Sequence, residues 1–476
     1  MKTKASSLVA RTLAFGVLAA LAAQSANADA VQAEEPGAKT VEGEAKHWTD
    51  ASGLAEVLGV NVNEAKFMKD WNLKFGGWLN SSVSANFHSS PDKYNGPVTF
   101  NDRTGELQMN QLYLYLQKAV NVSGDAFDWG GRVDFMYGTD AIFTQAYGSP
   151  AFDPRTGAPI KRGNWDLHLN SHGDRFYGMA IPQAYAEFNL PVGNGLSVKA
   201  GHFYTPIGYE VVTAPDNFFV TKPYTMQYGE PFTHTGVLAS YAVNSNWSAT
   251  AGAVTGSNTG GWDGNWNRDL GNWAFLGGAT WTSDDAGTSL ALTSTAGGRS
   301  EDSSSPWAMY SLVGKHNFTD KLHYVIQHDH GFANNVITAH SARNGTGTEN
   351  ARWYGINQYL FYDIDDKLSA GVRAEWFRDH NGFRVWGPGR CGASTNVNNG
   401  AGDTYACGGT TAATNGAYPW EGSNYYAVTA GLNYKATKWL TVRPNLRYDW
   451  TDKTQAFDAG RRKDQLLFTT DVVITF

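Results

Sequence analysis

The last nine residues constrain the fold most tightly. Phe468, Thr470, Val472, Ile474 and Phe476 occupy alternate positions, with Thr469, Asp471 and Thr475 between them. An extended chain with that period has one apolar and one polar face. Such a strand suits a boundary between lipid and water. In lipid it cannot leave an edge unpaired, because hydrocarbon offers no hydrogen-bond partner, so it must close against another strand. The last strand of a soluble sandwich can show the same alternation, and the rest of the chain has to decide between the two.

The period of two returns from Asn72 onward, where Leu73, Phe75, Gly77 and Leu79 alternate with Asn72, Lys74, Gly76 and Asn80. Comparable segments fall near residues 107–118, 127–138, 177–190, 194–204, 232–242, 246–257, 272–283 and 288–298, and again near 307–317, 320–330, 350–363, 366–378, 422–435, 438–451 and 464–476. Each spans about 11 residues, the length a tilted strand needs to cross a bilayer. The connections alternate in length. Short ones are Pro191–Asn194, Val243–Ser245, Asp284–Gly287, Asn317–Thr319, Ile364–Asp365 and Ala436–Thr437. Long ones include Ser89–Glu106, Thr139–Phe176, Thr205–Pro231, Gly331–Glu349 and Asp379–Glu421. A soluble sandwich has no reason to gather its long connections at one end, whereas an outer-membrane barrel has short periplasmic turns and long extracellular loops. The predicted fold is all-β: a closed transmembrane antiparallel barrel of about sixteen strands. Rings near strand ends, among them Trp129, Tyr204, Trp247, Trp307, Tyr362, Tyr434 and Trp450, read as interfacial belts.

Composition agrees. The 53 glycines are about 11% of the chain against a usual ~7%, and charged residues, at 17%, fall below the usual ~25%. With a mean hydropathy of −0.40, this excludes an ordinary helical enzyme and a charged disordered chain. No apolar run past the N-terminus approaches the ~20 residues of a spanning helix.

At the N-terminus, Lys2, Lys4 and Arg11 precede a short apolar core, Leu13–Ala23, and the small-residue pattern Ala26-Asn27-Ala28. That is the layout of a secretory signal peptide, with the mature chain starting at Asp29. The expected domains are therefore a signal peptide at 1–28, a periplasmic extension at 29–70 and the barrel at 71–476. Losing three cations and no acid takes the formal charge from −7 to −10, which gives no electrostatic basis for nucleic-acid binding. Export to an oxidising compartment allows Cys391 and Cys407 to pair. With 15 residues between them, that bridge would contribute roughly 3 kcal/mol.

Sixteen strands leave room for an aqueous lumen. Alternation points Lys74, Arg132, Asp134, Glu187, Lys199, Lys315, His323, Asp329, Arg373, Glu375, Arg443, Arg447, Asp449 and Asp471 inward. On the lipid side each charge would cost ~2–4 kcal/mol at midplane. Arg373, Arg443 and Arg447 form a candidate basic ladder on one wall, opposed by acids from a folded-in loop. Thr205–Pro231 is that loop: Glu210, Asp216, Lys222 and Glu230 lie among Tyr209, Phe218, Phe219 and Tyr224, and four prolines stiffen it. It is too apolar for a freely solvated loop and not disorder-like. His328 and His330 share one strand face and His323 the other, which reads as a rim pair before a metal site. The His- and Asp-rich stretch 166–175 reads as a solvated outer loop, with calcium or lipopolysaccharide phosphates as weaker alternatives.

Two stretches carry a family resemblance. Phe75–Arg103 (FGGWLNSSVSANFHSSPDKYNGPVTFNDR) resembles the opening of the OmpL-like putative β-barrel porins of Gram-negative bacteria. Gly201–Gly236, with GHFYTPIGYE, Ala214-Pro215 and EPFTHTG, is similar to that family's middle region. The resemblance implies a porin-type barrel and carries no substrate and no catalytic residues. The expected function is an outer-membrane porin for passive diffusion of small hydrophilic solutes or ions, with no enzyme chemistry, cofactor or metal. Its expected partners are outer-membrane lipid and lipopolysaccharide, the barrel-assembly machinery that reads a terminal aromatic strand, and two further copies in a homotrimer. The alternatives are an outer-membrane barrel enzyme of lipase or protease type, and a plugged structural or adhesin barrel.

Overall fold

The computed structural model describes residues 59, 61–88, 93, 95–122, 126–144, 177–257, 272–298, 305–337, 349–385, 422–458 and 461–476. The first half of the barrel is built from β1 (Leu73–Asn86), β2 (Gln108–Lys118), β3 (Asp128–Gly138), β4 (Gly178–Ala180), β5 (Ala184–Leu190), β6 (Leu196–Tyr204), β7 (Thr233–Ala242), β8 (Trp247–Thr255) and β9 (Trp273–Thr282). The second half is β10 (Thr288–Gly298), β11 (Pro306–Thr319), β12 (Leu322–Ile337), β13 (Glu349–Asp363), β14 (Leu368–Asp379), β15 (Ser423–Thr437), β16 (Leu440–Thr451) and β17 (Asp464–Thr475). Every neighbouring pair is antiparallel, and β1 pairs with β17 from Trp78↔Thr475 to Asn86↔Leu467. The sheet is thus a closed sixteen-stave barrel, since β4 and β5 lie end to end against β3 as one stave.

Two departures from the expected strands stand out: β12 runs on to Ile337, through residues expected to open the long connection Gly331–Glu349, and one expected strand is broken. A single strand was expected over 177–190; instead Ile181, Pro182 and Gln183 interrupt it. Pro182 has no N–H for the ladder. Gln183 compensates by accepting the amide of Asp134 at 2.9 Å and donating its side-chain amide to the Asp134 carboxylate at 2.9 Å.

Alternation sorts the two faces as the sequence predicts. Val133, Val237, Leu292, Leu360, Val372, Val428, Leu446 and Phe468 face outward and are exposed, while Arg132, Asp134, Arg373, Arg447, Asp449 and Asp471 are buried on the inner face. In a water-soluble protein this would be inside out. Trp129, Trp247, Tyr362 and Tyr434 form an exposed aromatic belt at the short-turn end. Tyr204 and Trp307 do not join a belt. Tyr204 points inward to the Tyr113 hydroxyl at 3.2 Å, and Trp307 is buried with its indole donating to the Gly298 carbonyl at 3.1 Å.

A short helix, Lys66–Asp70, precedes β1. Asn63 fastens this segment to the barrel by exchanging two hydrogen bonds with the Phe75 backbone, at 2.9 and 2.8 Å. The signal-peptide and cleavage residues, Cys391, Cys407 and the 166–175 stretch lie outside the described residues. Among the described residues no helix is long and apolar enough to cross a membrane.

Candidate functional site

Thr205–Phe232 leaves β6, crosses the interior and returns to β7, and its partners lie on the opposite wall. The inward-facing aromatics explain why an apolar loop folds there. Tyr209 meets Tyr359 of β13 edge-on at 4.8 Å, Phe218 meets Phe361 at 4.8 Å, and Tyr224 meets Tyr425 of β15 at 5.4 Å. Such aromatic pairs contribute beyond the area they bury.

The arginine ladder holds the loop by its backbone. Arg373 on β14 donates to Glu210 at 2.6 Å, to Glu375 at 2.8 Å and to the Thr221 carbonyl at 2.9 Å. Arg447 on β16 binds Asp449 at 2.8 Å and the Lys222 carbonyl at 2.9 Å, and lies 3.2 Å from Glu375. Arg443 pairs with Asp471 of β17 and donates to the carbonyls of Ala214, at 2.7 Å, and Asn217. The planar five-donor guanidinium can serve a carboxylate and a carbonyl at once, which a lysine ammonium cannot do in the same fork geometry. A chain of alternating charge results: Lys222, Glu210, Arg373, Glu375, Arg447, Asp449, ending on the Tyr224 hydroxyl at 2.7 Å.

The acids of the loop do not act alike. Glu210 faces the ladder as expected. Asp216 closes the short turn Ala214–Asp216 and is half-buried. Glu230 accepts from Gln327 of β12 at 2.5 Å, and Gln327 also donates to Asp329 at 2.9 Å, so two carboxyl groups converge on one amide. Burial, and then the Asp329 carboxylate, push the Glu230 carboxyl well above the usual range. Gly208 makes this approach feasible: its φ is +95°, and a Cβ there would lie 1.9 Å from the Glu230 Oε2. Burial lowers Lys222 to about 7.

Two further inserted segments escaped the sequence reading. In the β1–β2 connection, Thr99 accepts the Lys222 amide at 3.2 Å and donates its hydroxyl to Gln227 at 2.8 Å, while the Pro97 carbonyl accepts from Tyr228 at 2.6 Å. After β14, Arg384 lies on the Trp353 ring at 4.0 Å and donates to the carbonyls of Tyr228, at 2.7 Å, and Gly229. Aromatic residues at Trp353, Tyr359 and Phe361, on what should be the polar face of β13, were the available signal. Burial raises Asp102 on the first of these segments, and Asp140 just after β3, to about 7.

Of the remaining expected lumen residues, Arg132 and Asp134 pair at 2.7 Å beside the base of the loop. A cavity of about 30 Å³ there is lined by Arg132, Tyr204, Glu210 and Glu230. Lys199 lies 4.0 Å from Glu187 on the wall nearer the short turns. His328 and His330 face outward beside Tyr310 and Tyr354, so they sit among belt rings and not at the lumen mouth. Among the described residues no three His, Cys, Asp or Glu side chains are placed to hold a metal ion.

A closed barrel with a polar interior and loops folded into it is the architecture of a porin, and the comparisons agree. The family described as "Putative beta-barrel porin-2, OmpL-like" matches residues 72–476. The chain belongs to this family. Among solved structures, OprB of Pseudomonas putida is similar at 12% identity over 87% of this chain and 97% of its own, with a TM-score of 0.51. The outer membrane channel DcaP of Acinetobacter baumannii aligns over 85% of this chain and 97% of its own, at 9% identity and a TM-score of 0.49. At these identities the likeness concerns the fold. No curated protein matches the chain. For this OmpL-like family member, fold and family are those of bacterial outer-membrane barrels.

Proposed function

We propose that the protein is a diffusion channel of the bacterial outer membrane, passing small hydrophilic solutes or ions without enzyme chemistry. The observation that carries this reading is the loop Thr205–Phe232, held across the lumen by Arg373, Arg443 and Arg447. A loop so placed narrows a barrel that would otherwise be a wide aqueous tube. In this reading the long connections face the exterior, the mature chain starts at Asp29, and the working assembly is a homotrimer in lipopolysaccharide-bearing lipid. The interior charges nearly balance, and the guanidinium groups of the ladder are spent on carboxylates and loop carbonyls. Weak selectivity among small ions is therefore expected.

Ion conductance in a planar lipid bilayer under a salt gradient tests this. Stepwise openings are expected, and deleting Glu210–Tyr228 should enlarge them. A folded preparation that stays silent would retire the reading. The second reading, a barrel sealed at rest, draws support from the complete burial of Arg373, Arg384, Arg447, Tyr224 and Tyr228. It predicts that intact protein is silent and that only the loop deletion conducts.

A further inference from the structure

Charged side chains are costly on lipid-facing strand positions, yet this barrel carries two arginines together on its outer face. On β13, Trp353 points inward, donating to the Gly229 carbonyl at 2.9 Å, so Arg352 and Tyr354 point outward. On β14, Phe377 and Asp379 are buried, so Arg378 points outward as well. Tyr354 stands directly opposite Arg378 in the register. Arg352 and Arg378 are therefore diagonal neighbours, about 7–8 Å apart at the backbone. His330 stands opposite Tyr354 from the β12 side, with rings 5.5 Å apart, and Trp376 meets Tyr354 edge-on at 5.7 Å.

Height along the barrel matters as much as direction. Tyr362, at the far end of β13, belongs to the short-turn belt, and Tyr354 belongs to the opposite one. Arg352 lies one outward position beyond Tyr354, at the level of lipid headgroups. Among the described residues, Arg352 and Arg378 are the only lysines or arginines at outward-facing strand positions in the long-loop half. An acid on the neighbouring loop, Asp452, feels the Arg378 charge. Its carboxylate already accepts from the Asn424 amide at 2.6 Å and the Ser423 hydroxyl at 3.0 Å.

We propose that Arg352 and Arg378, with His330 beside them, bind the phosphate of an outer-leaflet lipid headgroup. Guanidinium forks match phosphate oxygens geometrically. Trp376 lies on the membrane side of both charges and Tyr354 on the membrane side of Arg352, and both offer apolar surface to the acyl chains. A lipid satisfies both features; a free anion satisfies one. The proposal rests on the membrane orientation given above and not on conduction.

Native mass spectrometry of the full mature barrel in maltoside micelles tests it, with phosphatidic acid, phosphatidylcholine and inorganic phosphate as probes. Phosphatidic acid should be retained and phosphatidylcholine not. Arg352→Gln with Arg378→Gln should weaken retention about thirtyfold. Lys118→Gln, at an outward lysine of the short-turn end, should leave it unchanged. Wild-type retention by the double glutamine variant would overturn the site, and so would displacement of the lipid by equimolar inorganic phosphate. If the double variant fails to fold, Arg378→Gln alone should show about a fivefold loss. Protease accessibility of the long connections in intact cells tests the orientation premise separately. Long connections cut only after the cells are broken would overturn that premise while leaving the micelle result interpretable.

Discussion

At the scale of single residues, the interior is organised by what guanidinium groups and one glycine permit. The inward direction of Arg132, Asp134, Glu375 and Arg447 was legible, because alternation with lipid-facing aliphatics leaves no other place for a charge. What those arginines hold was not legible. Their partners include carbonyls of Thr221, Lys222 and Ala214, and backbone oxygens leave no trace in a sequence. Gly208 was equally silent, although its left-handed φ strains any side chain there and a Cβ would meet the tip of the Glu230 side chain. Gly208→Ala should cost about 1–2 kcal/mol in backbone strain alone and unseat the loop base. Hydrogen exchange of the amides in 205–232 should quicken while the strand amides stay protected. Unaltered exchange in a folded variant would show that Glu230 yields and the loop does not.

Strands and turns were the most readable elements, because the alternation of residues recurs in every stave and long and short connections alternate around the barrel. The break at Pro182 is a local exception, made tolerable by the Gln183 bonds to Asp134. The segments around Thr99 and Arg384 were harder to foresee, since their reason to enter the lumen lies in aromatic partners distant in sequence. Arg443 shows how elements are joined, tying β16 to Asp471 of β17 and to the loop turn at Ala214. Asp471 in turn accepts from Asn80 of β1 at 2.7 Å. Arg443→Ala should destabilise by about 3–5 kcal/mol, because it strands a buried carboxylate. Arg443→Met with Asp471→Leu should recover most of that, since an apolar pair can replace a buried ion pair, yet leave the loop loose. Thermal unfolding reads the first effect and hydrogen exchange of 213–222 the second. Equal loop protection in both variants and wild type would remove Arg443 from the anchorage.

For the whole molecule, the inserted segments form one body whose packing depends on pH. Asp102 and Asp140 have packed-state values near 7, raised by burial from 3.8. Between those limits the packed form holds protons that a solvated form has released, so packing weakens as pH rises from about 4 to 7. Lys222 has the opposite consequence. Its packed-state value is lowered to about 7 from 10.5, so packing strengthens from pH 7 to about 10 as the buried amine sheds its proton ahead of the solvated one. The interior should be loosest near neutrality. Conductance, or loop exchange corrected for intrinsic rates, should peak near pH 7; Asp102→Asn should flatten the acid limb and Lys222→Met the alkaline one. A flat profile would mean that these groups titrate without moving the loops. The closure of the barrel also carries a consequence in time. The Asn80–Asp471 bond joins residues 391 apart in the chain, and closing a flexible span of that length costs about 5 kcal/mol of entropy. The ladder edge of β1 therefore waits, unpaired and prone to bind any passing strand, until β17 has been synthesised. Shielding that edge during the wait is a demand set by the order of the strands, and no side-chain substitution inside the finished barrel can relieve it.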